Sequence, residues 1–89
     1  SALQVAPQSS MAHMNLAFVL IASDKPLEAI SELEVAVKYD PSNLRAHMSL
    51  GKILKSRGRI AEASQHFRKV TELDPDNKDA QRMLEELEY

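Results

Sequence analysis

The stretch Tyr39-Asp40-Pro41-Ser42-Asn43 recurs later in the chain as Leu73-Asp74-Pro75-Asp76-Asn77, and a weaker copy, Val5-Ala6-Pro7-Gln8-Ser9, precedes it at the same interval. Proline has no N–H group and disfavours helical backbone at the residue before it, so a helix is expected to end at each copy. The last residue of each copy, a serine or an asparagine, can cap the start of the next helix. The even spacing of the prolines is typical of a repeat array.

The composition indicates one small helical domain. Of 89 residues, 44% are hydrophobic and 27% are charged, whereas 4% are aromatic and only two are glycine, a poor basis for a sheet. The chain has no cysteine, which excludes a disulfide, a thiol nucleophile and a cysteine zinc site. A net charge of -2 gives no reason to expect nucleic acid as a partner. The longest uncharged apolar run, residues 16–22, is too short for membrane insertion.

Residues 1–9 are expected to be the tail of a preceding repeat and a linker. In the register that the prolines define, Ala2 aligns with Ala36, and Val5 aligns with Tyr39. We therefore expect this chain to be part of a longer array. Residues 1–5 show no basic region followed by an apolar core, so they do not predict a signal peptide. A soluble, cytoplasmic protein is expected if no signal has been removed.

Apolar residues at three- and four-residue spacing predict five helices, over residues 10–22, 27–39, 43–56, 60–73 and 77–88. The short turns at 23–26 and 57–59 favour antiparallel neighbours. On the last helix, Arg82, Glu85, Glu86 and Glu88 are expected to face outward. The residues predicted to face inward are Ala12, Leu16, Val19, Leu20, Leu27, Ile30, Leu33, Ala36, Val37, Ala46, Leu50, Ile53, Leu54, Ile60, Ala63, Phe67, Val70, Ala80, Leu84 and Leu87.

Two successive windows, each one period long, share a pattern of large and small residues. The second window carries Leu50, Gly51, Leu54, Gly58, Ala63, Phe67, Val70 and Pro75, and the first carries Leu16, Ala17, Leu20, Ala29, Leu33, Ala36 and Pro41. This pattern resembles the tetratricopeptide repeat (TPR) family. His13 and His47 stand where that family usually has tryptophan, leucine stands where it favours an aromatic, and Asp24 replaces its turn glycine.

The resemblance implies an all-α fold of the α–α superhelix class, a right-handed solenoid of antiparallel helix pairs. The first repeat would occupy positions 10–43 and the second would occupy positions 44–77. A polar capping helix at positions 78–89 would follow, as the end of a solenoid requires. Ala29 and Ala63 are the small residues expected to let two helices approach closely.

The resemblance further implies a protein-interaction module that binds a peptide or protein in a concave groove lined by the first helix of each pair. The groove positions on the first helix of the first repeat are mainly apolar, and those of the second repeat are basic. We expect Arg45, Lys52 and Arg82 to bind acidic groups of the ligand, and Met14 and Phe18 to contact an apolar side chain of the ligand. On the last helix the groove positions are Asp79, Arg82, Met83, Glu86 and Tyr89. The predicted groove residues are Met11, Met14, Asn15, Phe18, Ile21, Arg45, Met48, Ser49, Lys52, Lys55 and Arg82.

One subtype of the family is not expected. Members that clamp a C-terminal carboxylate use lysine, asparagine and basic residues at positions where this chain has Met14, Phe18, Ser49, Asp79 and Met83. Asn15 does match an asparagine with which other members hold a peptide backbone, although Ser49 and Met83 do not continue that pattern.

Two alternatives to a peptide-binding module stay open. The first is a self-assembly element, because two repeats fall below the roughly three that a stable stack needs. The truncated first repeat would then expose apolar surface and form a homo-oligomer. The second is the targeting segment of a longer catalytic chain.

No catalytic, cofactor or metal site is predicted, and we do not expect an enzyme. The sequence contains no glycine-rich phosphate loop, nucleophile elbow or HExxH motif. His13 and His47 would be separated by about 10 Å in stacked repeats, too far to share a zinc ion. His66 lies on a different predicted helix. His13 and His47 are therefore expected to be structural residues that fill the positions of the missing tryptophans.

Overall fold

The computed structural model describes the backbone of residues 2–87 and the side chains of residues 10–87. Within that range the secondary structure is helical, without strands. The helices are α1 (Ala2–Ala22), α2 (Pro26–Tyr39), α3 (Leu44–Ser56), α4 (Ile60–Leu73) and α5 (Lys78–Leu87). The chain divides into two compact units, Ser1–Ala46 (unit 1) and His47–Tyr89 (unit 2). No helix in the described part of the chain has the length and apolar character needed to cross a membrane.

Both Asp-Pro stretches end one helix and start the next, as predicted. The side-chain oxygen of Asn43 accepts a hydrogen bond from the N–H of Ala46 at 3.0 Å. Asn77 makes the same bond with the N–H of Ala80, also at 3.0 Å. These two bonds satisfy N–H groups that the first turns of α3 and α5 leave without helical acceptors. The predicted capping role of the two asparagines is therefore confirmed.

The weaker copy around Pro7 does not interrupt a helix, so the predicted helix start at residue 10 is wrong. Helix α1 runs without a break from Ala2 to Ala22. The weaker copy has Ala6 where the others have aspartate, so it lacks the carboxylate that accepts a hydrogen bond in the turn, as Asp40 does from the N–H of Ser42. Pro7 lies in the second turn of α1. The side chains of residues 2–9 lie outside the described residues, and their assignment to a preceding repeat stays a prediction.

The core of unit 1 uses a different face of α1 from the one predicted. The predicted inward residues Ala12, Leu16 and Val19 are exposed, with Leu16 46% and Val19 59% accessible. Apolar residues occur around most of α1, so their spacing does not identify the face that meets α2. The residues of unit 1 that are buried are Ser10, Met14, Ala17, Ala29, Ile30, Leu33, Ala36 and Ala46.

A buried polar link joins α1 to the end of α2 in unit 1. The Ser10 hydroxyl donates to the carbonyl oxygen of Ala36 at 3.0 Å and accepts from the Asn43 amide at 3.2 Å. The carbonyl of Ala36 also accepts the N–H of Asp40 at 3.0 Å. Because the Ser10 hydroxyl is both a donor and an acceptor, burying it leaves no polar group unsatisfied.

The core of unit 2 follows the prediction closely. Leu50, Leu54, Ala63, Phe67, Val70 and Ala80 are fully buried, while Leu84 and Leu87 are half-buried on α5. Arg82, Glu85 and Glu86 face outward as expected, and Glu88 lies outside the described residues. One predicted core residue of unit 2, Ile60, is wrong because it is 37% exposed, and so is its counterpart near the start of α2 in unit 1, Leu27, which is 59% exposed. Both lie in the first turn of the second helix of a pair, beside the hairpin turn, where less of the partner helix covers them.

The hairpin turns in the two units share one backbone conformation. Gly58 has φ 80°, and Asp24, at the equivalent position of the first repeat, has φ 61°. Glycine adopts this left-handed region without penalty, whereas aspartate tolerates it only as a single residue. Asp24 therefore replaces the glycine without changing the turn.

Gly51 fixes the distance between α3 and α4. A Cβ atom added to Gly51 would lie 2.8 Å from two atoms of the Phe67 ring. The ring is fully buried, so it has no room to move away. The backbone of α3 therefore packs directly on the ring of α4.

We predict that Gly51→Ala lowers the free energy of unfolding by about 1–3 kcal/mol, because overpacking of the Phe67 ring outweighs the better helix propensity of alanine. Urea denaturation measures the change. The double variant with Phe67→Leu should recover part of the loss, since the smaller side chain makes room. A Gly51→Ala protein as stable as the parent would contradict the close packing.

Candidate functional site

The predicted groove residues on α1 differ in accessibility. Met11, Asn15 and Ile21 are exposed, and Phe18 is half-buried. Met14 is only 6% exposed and belongs to the core of unit 1. A partner side chain therefore has access to Phe18 and its exposed neighbours, whereas it could reach Met14 only by displacing other core residues.

Arg45 lies next to the aromatic ring of Phe18 in unit 1. The guanidinium carbon is 6.0 Å from the ring centroid, at the outer limit of a cation–π contact. Arg45 is exposed, so its charge is accessible to solvent. The structure thus brings together two predicted site residues, one basic and one apolar, within a single unit.

Unit 2 carries the basic part of the predicted site. Lys52 on α3 and Arg82 on α5 are exposed, and Lys55 is half-buried. Met48 and Ser49 of α3 are also half-buried. The predicted position Tyr89 lies outside the described residues.

Lys55 is held by two residues of α5. Its ammonium nitrogen donates a hydrogen bond to Glu86 Oε1 at 2.7 Å and lies 3.8 Å from the sulfur of Met83. The hydrogen bond and the charge of Lys55 lower the pKa of the Glu86 carboxyl, and the charge of Arg82 adds to this effect. Glu86 therefore keeps its negative charge beside Lys55, one of the predicted binding cations.

Each histidine that replaces the expected tryptophan pairs with the residue 19 positions further along the chain. In unit 1 the His13 Nδ1 atom bonds to Glu32 Oε1, and Tyr39 stacks on the imidazole with ring centroids 5.9 Å apart. In unit 2 the Nδ1 atoms of His47 and His66 lie 3.0 Å apart. One of these two nitrogens must carry the proton that it donates to the other.

Sequence reasoning missed these pairs because His66 lies on a different helix from His47. Antiparallel packing across the turn at 57–59 brings the two rings together. A signal was present, since Glu32 and His66 are separated by one full period and so occupy equivalent positions in the two repeats. Among the side chains that the structure describes, no three His, Asp or Glu residues converge to hold a metal ion.

A family model described as tetratricopeptide repeat matches residues 20–87. A search of curated proteins finds no match. Among solved structures, the chain is similar to the first TPR of Spaghetti (RPAP3) bound to the HSP90 peptide SRMEEVD, with 24% identity over 92% of this chain and 67% of that one, and a TM-score of 0.83. It is also similar to MamA, with 21% identity over 91% of this chain and 47% of that one, and a TM-score of 0.85.

A third similar structure is the second TPR domain of human RPAP3 in complex with the HSP70 peptide SGPTIEEVD. The identity is 27% over 91% of this chain and 68% of that one, with a TM-score of 0.81. This chain therefore spans about half of the MamA chain and about two thirds of the other two. These similarities confirm the predicted fold class, an all-α helical-repeat superhelix.

We predict that unit 2 loses stability in mild acid through His66. Burial and the charge of His47 lower the pKa of His66 below its ordinary value of 6.5, against an opposing effect of Glu62. As the pH falls through 6.5 the unfolded chain takes up the proton first, so the free energy of unfolding decreases until His66 is also protonated in the folded state.

Urea denaturation of the parent protein and of His66→Gln at pH 7.5 and pH 5.5 measures this effect. Titrating groups away from the pair of His47 and His66 contribute equally to both proteins, so the stability of His66→Gln relative to the parent should rise as the pH falls. A difference that is the same at both pH values would show that the histidine contact does not depend on charge.

Proposed function

The chain belongs to the tetratricopeptide repeat family, and from that premise we propose that it binds a peptide segment of a partner protein through the first helix of each helix pair. We propose no catalytic activity and no cofactor. The observation that carries the proposal is the exposed basic set of Lys52 and Arg82, with Lys55 beside them, in unit 2. In unit 1, the Phe18 ring provides a separate apolar surface, with the cation of Arg45 beside it.

Two similar solved structures support an acidic peptide as the ligand. The peptides named for them, SRMEEVD and SGPTIEEVD, each contain two adjacent glutamates and an aspartate. Those peptides are ligands of the related proteins. This chain lacks the residues of the carboxylate clamp at Met14, Phe18, Ser49, Asp79 and Met83, so its recognition of acidic groups would rely on the side chains of Lys52, Lys55 and Arg82.

The basic residues of unit 2 and the aromatic ring of Phe18 in unit 1 define the chemistry of the expected ligand. Exposed lysine and arginine attract carboxylates over about 8–10 Å at physiological salt, which favours an acidic peptide during encounter. The half-buried Phe18 ring offers apolar area that an aliphatic or methionine side chain can cover. Acidic residues of a ligand meet the requirement of unit 2, and an apolar residue meets that of unit 1.

We predict that fluorescently labelled SRMEEVD binds the chain more tightly than its neutral analogue SRMQQVN. Lys52→Glu should weaken binding about five- to tenfold, because an attractive exposed charge pair becomes repulsive. Fluorescence anisotropy measures the affinities, and raising the salt concentration should reduce them.

Lys38→Glu is the matched control, since Lys38 is an exposed lysine on α2, outside the predicted groove set. Lys38→Glu changes the net charge of the protein by the same amount as Lys52→Glu. Equal effects of Lys52→Glu and Lys38→Glu would contradict a local basic site. Equal affinity for the acidic and neutral peptides would contradict acidic-peptide binding altogether.

A second candidate function is self-association through α1. Residues 1–23 contain no Asp, Glu, Lys or Arg. Met11, Leu16, Val19 and Ile21 are between 42% and 59% exposed. The residues of the second repeat equivalent to Ala12 and Leu16 are Ala46 and Leu50, which are both fully buried. An uncharged apolar surface that includes two positions buried in the second repeat favours a second copy as its cover.

For this second candidate we predict a mass that increases with concentration, measured by light scattering over a dilution series. Leu16→Lys combined with Val19→Lys should give a monomer, because both side chains are already exposed and the charges oppose association. Leu73→Lys, at a 38% exposed position in unit 2, is the control. A parent protein that stays monomeric at the highest concentration would exclude self-association.

A further inference from the structure

Glu86 of α5 is bonded to Lys55, one of the basic residues that the proposed function assigns to an acidic ligand. It accepts a 2.7 Å hydrogen bond from Lys55 across the helices. Arg82 lies one helical turn earlier on α5, and its charge helps to lower the pKa of the Glu86 carboxyl. A glutamate of a peptide would make the same kind of bond to Lys55.

The position of this ion pair distinguishes it from the other Lys or Arg ion pair described for unit 2. Arg59 and Glu62 form two parallel hydrogen bonds, at 2.8 and 2.7 Å, within the N-terminal region of α4. The pair of Lys55 and Glu86 joins residues 31 positions apart and lies among the predicted groove residues. The pair of Arg59 and Glu62 is therefore a local contact at the start of α4. The pair of Lys55 and Glu86 joins two helices at the surface where a ligand would bind.

The pair of Lys55 and Glu86 is weak enough to exchange. Both side chains are accessible to solvent, with 34% and 49% of their surfaces exposed. Exposed ion pairs contribute little to stability, so a carboxylate from a ligand can replace Glu86 at small cost. The released Glu86 side chain would then be solvated.

We propose that Glu86 is an internal competitor for the acidic group of the partner, so that an acidic peptide binds unit 2 by displacing Glu86 from Lys55. This inference rests on the proposed function and adds to it. Glu86 weakens the binding of every acidic peptide that uses Lys55. Glu86 also determines how many acidic groups a ligand needs in order to bind well.

The requirement concerns the number of acidic groups. A ligand with one carboxylate only exchanges one anion for another at Lys55. A ligand with two closely spaced carboxylates can replace Glu86 and also bind the exposed Lys52. The local charges are three cations, Lys52, Lys55 and Arg82, against Glu86 and the exposed Asp79 of α5. The site therefore favours peptides with adjacent acidic residues over those with a single one.

We predict that Glu86→Gln binds labelled SRMEEVD about two- to fivefold more tightly than the parent protein, the range expected for one exposed charge pair. Glu85→Gln is the matched control, because Glu85 is the exposed neighbour on α5 and its loss changes the net charge equally. Its affinity should stay within twofold of that of the parent. Anisotropy titrations at one fixed salt concentration give the three affinities.

Two further variants test whether the gain in affinity comes from loss of the bond between Glu86 and Lys55 or only from the change in net charge. A separate measurement checks that the variants fold. Glu86→Asp keeps the charge but shortens the side chain, so it should give part of the gain. Lys55→Gln should reduce affinity more in the Glu86→Gln background than in the parent, because the lysine is then open to the ligand. Glu86 lies in the last turn of α5, where neutralising a negative charge favours the helix, and circular dichroism checks that each variant is folded.

The outcomes distinguish this inference from the proposed function. If the parent binds SRMEEVD and Lys52→Glu weakens binding, but Glu86→Gln and Glu85→Gln behave alike, the competitor role is wrong and the binding function stands. If the parent and Glu86→Gln both bind SRMEEVD no better than SRMQQVN, the inference and the proposed function are both wrong.

Discussion

The packing of the α3 backbone on the Phe67 ring of α4 is the constraint on which unit 2 depends. Gly51 has no side chain, so the ring lies where a Cβ atom would be. This close approach is what places the facing side chains of α3 and α4 within contact distance, including His47 and His66. Dispersion and burial stabilise the arrangement only while the two surfaces remain complementary, since a protein interior tolerates little change in volume.

The same hairpin geometry explains why equivalent positions in the two units carry different chemistry. The contact between residues 19 positions apart is a histidine with a carboxylate in unit 1 and a histidine with a second histidine in unit 2. The backbone relation is shared, but the electrostatics differ. In unit 2 the burial of His66 and the charge of His47 lower the pKa of His66. The turns show the same principle, since Asp24 and Gly58 share a left-handed backbone with different side chains.

The basic residues of unit 2 attract acidic ligands, although a carboxylate of the protein already binds one of them. Exposed cations draw acidic ligands towards a protein, and an adjacent carboxylate reduces that attraction. Glu86 combines with Lys55 and Arg82 in this way. The spacing of residues on α5 makes the arrangement possible, because Arg82, Met83 and Glu86 lie on one face of a helix. Specificity then depends on whether a ligand offers more negative charge than the protein already provides.

The sequence by itself determined the helices after residue 22, the two Asp-Pro boundaries and their asparagine caps, because these features depend on local backbone chemistry. It also indicated most of the core of unit 2, where the apolar residues keep to one face. Only the tertiary structure decided that Met14 rather than Leu16 is buried in unit 1, since α1 has apolar residues on several faces. It likewise decided the partners of Lys55 and His47, because contacts between residues distant in sequence depend on how helices are rotated and spaced, which no local pattern specifies.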